Sequence, residues 1–246
     1  MYNEAMTTQP IKILFVCAEV APYATIGGLA QVAYFLPKAL KKLGAEVSIF
    51  MPRYGTIDEK KYHIKPYLTG LKVPTGEIAG ITELICNVKV REGNKREPTI
   101  YFLENMEYYE KRANVYGYSD DHVRFALLSR GALEFVKASG MHPAVIHCND
   151  WHTGLLANYL HDSYKDHPVL KTVSTVFTIH NLRNQGVFDF RFASPMDFDD
   201  GKSAVAPLFT PQFRKQNALK RGIIYSDLVN TVSDTYSREI MTPEYG

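Results

Sequence analysis

The fold of this 246-residue chain is restricted most by short apolar runs that alternate with helix patterns. IKILFVCA (11–18), AEVSIFMP (45–52) and AVIHCND (144–150) are nearly continuous in apolar residues, which is typical of strands buried on both faces of a parallel sheet. A helix pattern over 29–43 ends before Gly44, and GLLANYLHDSY forms another. We therefore predict an α/β fold with a doubly wound, mainly parallel, Rossmann-like sheet.

The middle of the chain departs from this alternation. The segments 83–90 and 98–105 flank REGNKRE and predict an added β-hairpin. The later elements are predicted as a helix from Ser119 to Gly140, a strand over 172–180, a polar and aromatic segment over 181–212, a helix near 215–221, a strand over 227–233 and a helix from about Thr235. We predict a disordered N-terminal tail over 1–10 and one Rossmann-like domain over 11–246.

The composition and charge of the chain indicate which partners and which cellular compartment to expect. The formal net charge is +2, and Lys and Arg are spread along the chain, so we expect no nucleic-acid partner. No run of 18 apolar residues occurs, and the polar start lacks a signal-peptide core, so we expect no membrane contact. Cys17, Cys86 and Cys148 form no CxxC pair, which favours a reducing cytoplasm.

Unusual residues follow several of the predicted strands. Gly27 and Gly28 come after the first strand, Asp150 ends another, and His180 and Asn181 end the next. Ligands of doubly wound sheets bind at the carboxyl ends of the strands. We therefore predict that these three segments line one cavity at one rim of the sheet.

The glycines of IGGLAQV allow two interpretations. Glycines before a helix let backbone N–H groups approach a ligand, and the helix N-terminus favours an anion. Alternatively, Gly27 and Gly28 only form a tight turn. The segment is neither GxGxxG nor a P-loop, so it supports neither of those nucleotide sites.

HCNDWHTG (147–154) concentrates polar groups at a strand end, where the Asp150 carboxylate can project into a cleft. His147, Asp150 and His152 are conceivable metal ligands, but a period of two places His147 and Asp150 on opposite faces, so we expect no metal. Core packing is the alternative role for Trp151, and a helix-capping hydrogen bond is the alternative for His152.

Two further motifs lie near predicted strand or helix ends. In FTIHNLRNQG, His180 and Asn181 are site candidates, with a satisfied core histidine as the alternative. In YGYSDDHVRF, Tyr116 and Tyr118 precede a helix, where anions or sugar hydroxyls can dock. A simple capped helix is the alternative there, and the residues alone favour it.

Taken in order, these motifs resemble bacterial glycogen synthases and plant starch synthases, which are glycosyltransferases of the GT-B architecture. The resemblance runs from Ile11 almost to the last residue and includes CAEVAPY, GGLAQV, FMPRYG, YGYSDDHVRFALLSRGALE, IHCNDWHTGL, FTIHNLRNQG and LKRGIIYSDLVNTVSDTYSREIMTPEYG. Their order and spacing make the match specific.

The resemblance implies one half of a GT-B fold. The chain looks like the N-terminal domain, without the C-terminal nucleotide-binding domain, so it is expected to be inactive alone. The implied reaction moves glucose from ADP-glucose or UDP-glucose to the non-reducing end of an α-1,4-glucan, with retention of configuration and without a metal or cofactor. The implied partners are the sugar nucleotide, the glucan and a C-terminal GT-B domain.

The resemblance also implies roles for individual residues. Asp150, His180 and Asn181 are expected to be catalytic, and Gly27 and Gly28 match the loop that meets the donor diphosphate. The complete set of expected substrate-binding residues is Thr25, Gly27, Gly28, Gln31, Tyr118, Trp151, His152 and Gln185.

The sequence departs from the family pattern at three positions. Thr25 replaces a usual Lys, Gln31 an Asp, and Asn184 a Tyr. Because a hydrogen bond to a charged group contributes about 1.5–3 kcal/mol, the missing Lys is expected to weaken donor handling by roughly ten- to a hundredfold. Two alternative functions stay open: a non-catalytic glucan-binding or scaffold domain, and a GT-B glycosyltransferase with another acceptor.

Overall fold

A computed structural model describes residues 9–76, 80–187 and 199–244. They form one eight-stranded sheet with the spatial order β3-β4-β5-β2-β1-β6-β7-β8. The strands are β1 (Lys12–Val16), β2 (Glu46–Pro52), β3 (Lys65–Pro74), β4 (Glu83–Arg91), β5 (Thr99–Glu104), β6 (Val145–Asn149), β7 (Ser174–Ile179) and β8 (Leu228–Thr231). The α-helices are α1 (Gly28–Lys42), α2 (Asp121–Ser139), α3 (Gly154–Asp162), α4 (Ala218–Tyr225) and α5 (Asp234–Glu239).

Strand directions confirm the predicted fold class. The strands β5, β2, β1, β6, β7 and β8 pair in parallel, and β4 pairs antiparallel with both β3 and β5. The added hairpin is therefore β4–β5. The reversals of strand order around β1 bring the carboxyl ends of β1, β6 and β7 to neighbouring positions on one rim.

Burial explains why the apolar runs became central strands. Leu14, Phe15 and Val16 of β1 are fully buried, because helices cover a parallel sheet on both faces. The helix α2 is buried along almost its whole length, since it packs against β3 and α3. Gly140 ends α2 with φ of 70°, a left-handed conformation that glycine adopts without strain.

The strand β3 was not predicted from the sequence. Its residues KPYLTGLKVP are mostly exposed, because β3 is an edge strand, and its pairing with β4 shifts register around Pro66, Leu68 and Leu71. Proline and glycine are tolerated at such edges but hide the alternating pattern. The edge position therefore removed the signal that identified the central strands.

Two helix starts also differ from the predictions. The helix α4 begins at Ala218 rather than near Lys215, because Asn217 caps it by accepting a hydrogen bond from Lys220 N at 2.9 Å. At α2, Ser119 does not cap the helix, which begins at Asp121. The predicted tail over 1–10 falls outside the described residues except for positions 9 and 10, and the predicted segment over 181–212 does so at 188–198.

Among the described residues, none of the helices combines the length and the apolar content that a membrane crossing requires.

Candidate active site at the strand ends

A cavity of about 770 Å³ lies at the carboxyl ends of the parallel strands. The segments that follow β1, β6 and β7 all contribute to its lining, so the three predicted segments meet in one place. Of the predicted site residues, the lining includes Gly27, Gly28, Asp150, Trp151, His152, His180, Asn181 and Gln185. We call the side formed by 27–28 the glycine wall and the side formed by 180–187 the His-Asn wall.

The two glycines of the glycine wall are not needed by the fold itself. Gly27 precedes α1 with φ of −136°, and no left-handed φ occurs at Gly27 or Gly28. A Cβ atom added to either would meet no atom of the described residues within 4 Å. The tight-turn interpretation therefore lacks support, and the missing side chains leave open space beside the uncapped N-terminus of α1.

A carboxylate that sequence reasoning did not single out holds this loop. Glu19 is 4% exposed, and its Oε2 accepts hydrogen bonds from Ile26 N at 2.7 Å and Gly27 N at 2.9 Å. Its Oε1 accepts a hydrogen bond from the Tyr116 hydroxyl at 2.5 Å. The backbone N–H groups of Ile26 and Gly27 are therefore already hydrogen-bonded within the protein. Gly28 is the first residue of α1, whose N-terminus has no side-chain cap.

Asp150 occupies a strained backbone position between β6 and α3. Its φ of 61° and ψ of −179° lie in a region that is sparsely populated except by glycine. The conformation is held from both sides, because Asp150 N donates to Thr178 O at 2.9 Å and Thr153 N donates to Asp150 O at 3.0 Å. Strain of this kind is found where a side chain must be presented to a ligand.

The Asp150 carboxyl is buried and incompletely paired. Its Oδ1 is shielded from solvent and has no hydrogen-bond partner among the described residues. Burial raises the pKa of Asp150 to about 7, although the nearby backbone N–H groups of Trp151, Asn181 and His180 lower it. The negative charge of Glu19 adds to the increase. Near neutral pH this carboxyl can therefore either accept or donate a hydrogen bond.

Aromatic rings form the floor of the cavity beside Asp150. The ring of His152 stacks on Tyr116 with centroids 4.8 Å apart and lies 4.2 Å from the Trp151 ring centroid. Burial, with smaller effects from His180 and Arg124, lowers the pKa of His152 well below its usual value. The helix-capping interpretation of His152 lacks support, because no side-chain cap occurs at either adjacent helix start and its Nδ1 has no hydrogen-bond partner among the described residues.

The hydrogen bonds of Asn149 determine the tautomer of His180. Asn149 Nδ2 donates to Val16 O at 3.1 Å and to His147 O at 3.2 Å, so its Oδ1 is the acceptor that faces His180 Nε2 at 3.0 Å. Burial lowers the pKa of His180 to about 4, so the ring is neutral near pH 7. It follows that Nε2 carries the proton and Nδ1 is an acceptor.

Three predicted substrate-binding residues do not line the cavity. Thr25 and Gln31 are exposed outside it. Tyr118 is held elsewhere, because its ring lies 5.0 Å and 4.8 Å from the guanidinium carbons of Arg112 and Arg124. Tyr116, two positions earlier, is the tyrosine that lines the cavity.

The conceivable metal ligands do not converge. His147 lies away from the cavity lining, and its Nε2 is 2.6 Å from the Thr178 hydroxyl. Over the described ranges, no group of three or more His, Cys, Asp or Glu side chains is arranged to hold a metal ion.

The His-Asn wall is anchored on α4. Gln185 Oε1 accepts a hydrogen bond from Asn217 Nδ2 at 2.6 Å, and Gln185 O accepts one from Leu219 N at 3.1 Å. Gly186 has φ of 71°, and a Cβ there would lie 2.5 Å from Trp151 Cε3. This glycine, unlike Gly28, is required by the packing of the protein itself.

A buried ion pair supports that anchor. Arg221 is fully buried, and its Nε and Nη2 donate to Asp199 Oδ2 and Oδ1 at 2.8 Å and 2.6 Å. Asn217 N also donates to Asp199 Oδ2 at 2.8 Å. Asp199 is therefore tied to α4 through Arg221 and to Asn217, the residue that also holds Gln185.

Comparison with known proteins identifies the family. The family model described as "Starch synthase catalytic domain" matches residues 12–246. The chain belongs to this family. Curated relatives include the glycogen synthases of Moorella thermoacetica, 38% identical over 97% of this chain, and of Geotalea daltonii, 38% identical over 96%. The matches cover 47% and 48% of those proteins, so the chain spans about half of their length.

A solved structure supports the same placement. The catalytic domain of starch synthase IV from Arabidopsis thaliana, bound to ADP and acarbose, superposes with a TM-score of 0.79 at 27% identity. The match covers 96% of this chain and 48% of that one. The sheet described above is therefore similar to the corresponding half of a starch synthase GT-B catalytic domain, and the predicted family resemblance is confirmed.

Proposed function

We propose that this chain is the N-terminal domain of a retaining glycogen or starch synthase. The complete synthase would transfer glucose from ADP-glucose or UDP-glucose to the non-reducing end of an α-1,4-glucan. The observation that carries the proposal is the single cavity, in which an open helix N-terminus and the incompletely paired carboxyl of Asp150 face the same space. Family membership supports the reaction class, and the structural neighbour bound to ADP and acarbose supports a nucleotide and a glucan-like ligand.

Different residues of the cavity can bind the phosphates and the sugar hydroxyls of the substrates. Gly28 and the N-terminus of α1 would approach the donor phosphates, where helix N–H groups stabilise negative charge on the leaving group. The neutral His180 would accept a hydrogen bond from a sugar hydroxyl through Nδ1, and Asp150 would contact another hydroxyl. These roles require no metal or cofactor, because fixed dipoles and cations meet the developing charge.

The proposal assigns the remaining part of the donor site to a C-terminal GT-B domain. We expect the 246-residue chain alone to transfer no glucose, because half of the donor contacts belong to that second domain. The direct test fuses this chain to the C-terminal half of one of the glycogen synthases named above. Transfer of labelled glucose to glycogen is then measured with ADP-glucose and with UDP-glucose.

The proposal predicts glucan elongation by the fusion from at least one donor, and no elongation by the matched Asp150→Asn fusion. A folded fusion that transfers glucose from neither donor would contradict it. Co-sedimentation of the unfused chain with glycogen separates the alternatives. Glycogen binding without any transfer by the fusion would support the non-catalytic glucan-binding domain instead.

A further inference from the structure

The charges that line the cavity are unevenly distributed. Glu19 and Asp150 bring carboxyl groups, and the two lining histidines, His152 and His180, have lowered pKa values because they are buried. Among the lining residues that the structure describes, Arg183 alone carries a permanent positive charge. An anionic ligand that enters this cavity would therefore meet a single cationic side chain.

The glycine wall cannot supply the whole of an anion site. Glu19 already accepts the N–H groups of Ile26 and Gly27, and its negative charge lies beside the loop. The N-terminus of α1 then offers only the partial positive charge of its first turn, roughly half an elementary charge. A ligand with two phosphates carries more negative charge than this turn can offset.

Arg183 is placed to supply the missing charge. Its backbone is fixed, because Arg183 N donates to Asn181 Oδ1 at 3.1 Å and Leu182 N donates to the Tyr236 hydroxyl at 2.9 Å. Its side chain is exposed at the cavity, and no carboxylate of the described residues forms an ion pair with it. The guanidinium is thus not committed to a partner in the described part of the chain.

The positions of the two walls suit an extended anion. The strands β1 and β7 are separated by β6 alone and are therefore roughly 10 Å apart, two strand spacings, and the segments that follow them line the same cavity. A planar guanidinium binds phosphate oxygens in pairs, which a Lys ammonium cannot do. We propose that Arg183 binds the diphosphate of the sugar nucleotide, opposite the N-terminus of α1. This inference rests on the proposed function, because it assigns one more contact to the same substrate.

The test uses the fluorescence of Trp151, which is the only tryptophan of the chain and lines the cavity. The full 246-residue chain is titrated separately with ADP and with maltoheptaose. The variants are Arg183→Gln, Arg183→Lys and the control Arg96→Gln, which removes an exposed arginine in the turn between β4 and β5. Circular dichroism verifies that each variant is folded.

We expect Arg183→Gln to raise the Kd for ADP by about tenfold and to leave the Kd for maltoheptaose unchanged. Arg183→Lys should give an intermediate Kd for ADP, because it keeps the charge without the paired geometry. Salt should weaken ADP binding by the unaltered chain more than by Arg183→Gln. Arg96→Gln should match the unaltered chain with both ligands.

Equal Kd values for ADP in Arg183→Gln and Arg96→Gln would overturn the inference and leave the proposed function standing. A selective loss of maltoheptaose binding would also overturn it, since Arg183 would then contact the glucan. If the unaltered chain binds maltoheptaose but not ADP, the inference fails while glucan binding stands. If it binds neither ligand, the inference fails for this chain, and glucose transfer by the fusion still decides the proposed function.

Discussion

The two walls of the cavity contain glycines for opposite reasons. Gly28 borders open space, since a Cβ there would contact nothing within 4 Å in the described residues. Gly186 is enclosed, with a left-handed φ and with Trp151 Cε3 at 2.5 Å from a hypothetical Cβ. The glycine wall therefore depends on space for something outside the chain, whereas the His-Asn wall depends on packing within it. A glycine indicates a ligand site most strongly where the protein itself gives no reason for it.

The walls also differ in what holds them. On the glycine wall, Glu19 joins the loop to Tyr116 by side-chain hydrogen bonds. On the His-Asn wall, Gln185 is tied through Asn217 to the buried pair of Arg221 and Asp199. Substitutions that loosen the His-Asn wall should therefore lower the free energy of unfolding, whereas substitutions in the glycine wall should leave it nearly unchanged.

The largest effect is expected for Arg221→Met, which leaves the Asp199 carboxylate buried without its cation. Breaking one partner of such a buried pair costs about 3–5 kcal/mol in the free energy of unfolding. The control is Lys72→Met, which breaks the exposed pair with Glu83 and should cost less than about 1 kcal/mol. Urea denaturation measures both. Similar losses in the two variants would show that the pair does not support the His-Asn wall.

An effect of similar size at neutral pH, but one that depends on pH, is expected for Asp150, which lies between the walls. Its pKa is about 7 in the fold against 3.8 for the unperturbed group, so the folded state binds the proton more tightly. The stability of the unaltered chain should therefore fall, relative to Asp150→Asn, as pH rises from about 4 to 7. The gap should grow by about 1.4 kcal/mol per pH unit in that window and then level off.

Denaturation curves at several pH values measure this gap for Asp150→Asn. The exposed Asp166→Asn serves as the control and should show no such growth. If the advantage of Asp150→Asn stays constant from pH 4 to 8, burial does not raise the pKa of this carboxyl.

The smallest effects on stability separate the two glycines directly. Gly186→Ala should cost about 1–3 kcal/mol, because the methyl group meets Trp151 in a backbone conformation that alanine disfavours. Gly28→Ala should leave stability unchanged or raise it by up to about 1 kcal/mol, since alanine favours a helix. Only Gly28→Ala should weaken ADP binding without loss of stability. Equal destabilisation by both substitutions would remove the distinction between the walls.

Most of the fold could be predicted because the central strands are buried on both faces. Strands buried on both faces need apolar side chains at nearly every position, and β1, β2, β6 and β7 have such nearly continuous apolar runs. The edge strand β3 is mostly exposed and does not need a continuous apolar run. Its two prolines and its glycine also hid the alternating strand pattern. Helix starts were less predictable, because Asn217 and Asp121 act through local hydrogen bonds that leave no periodic pattern.

The site was predictable only where strand ends carry polar residues. Asp150, His180 and Asn181 follow apolar runs directly, and all three line the cavity. Glu19 was overlooked because a single carboxylate after a strand looks like an ordinary surface residue, and Arg183 because exposed arginines are common in loops. Tyr116 and Tyr118 could not be told apart by sequence, since the contact of Tyr118 with two arginines depends on tertiary packing.

The most direct measurement is an NMR titration of the isotope-labelled chain with ADP, following the amide signals of Gly27, Gly28 and Gly186 and the indole of Trp151. If one ligand lies between the two walls, these signals will shift together and give one common Kd. Shifts confined to one wall, or separate Kd values for the two, would contradict a single cavity shared by both.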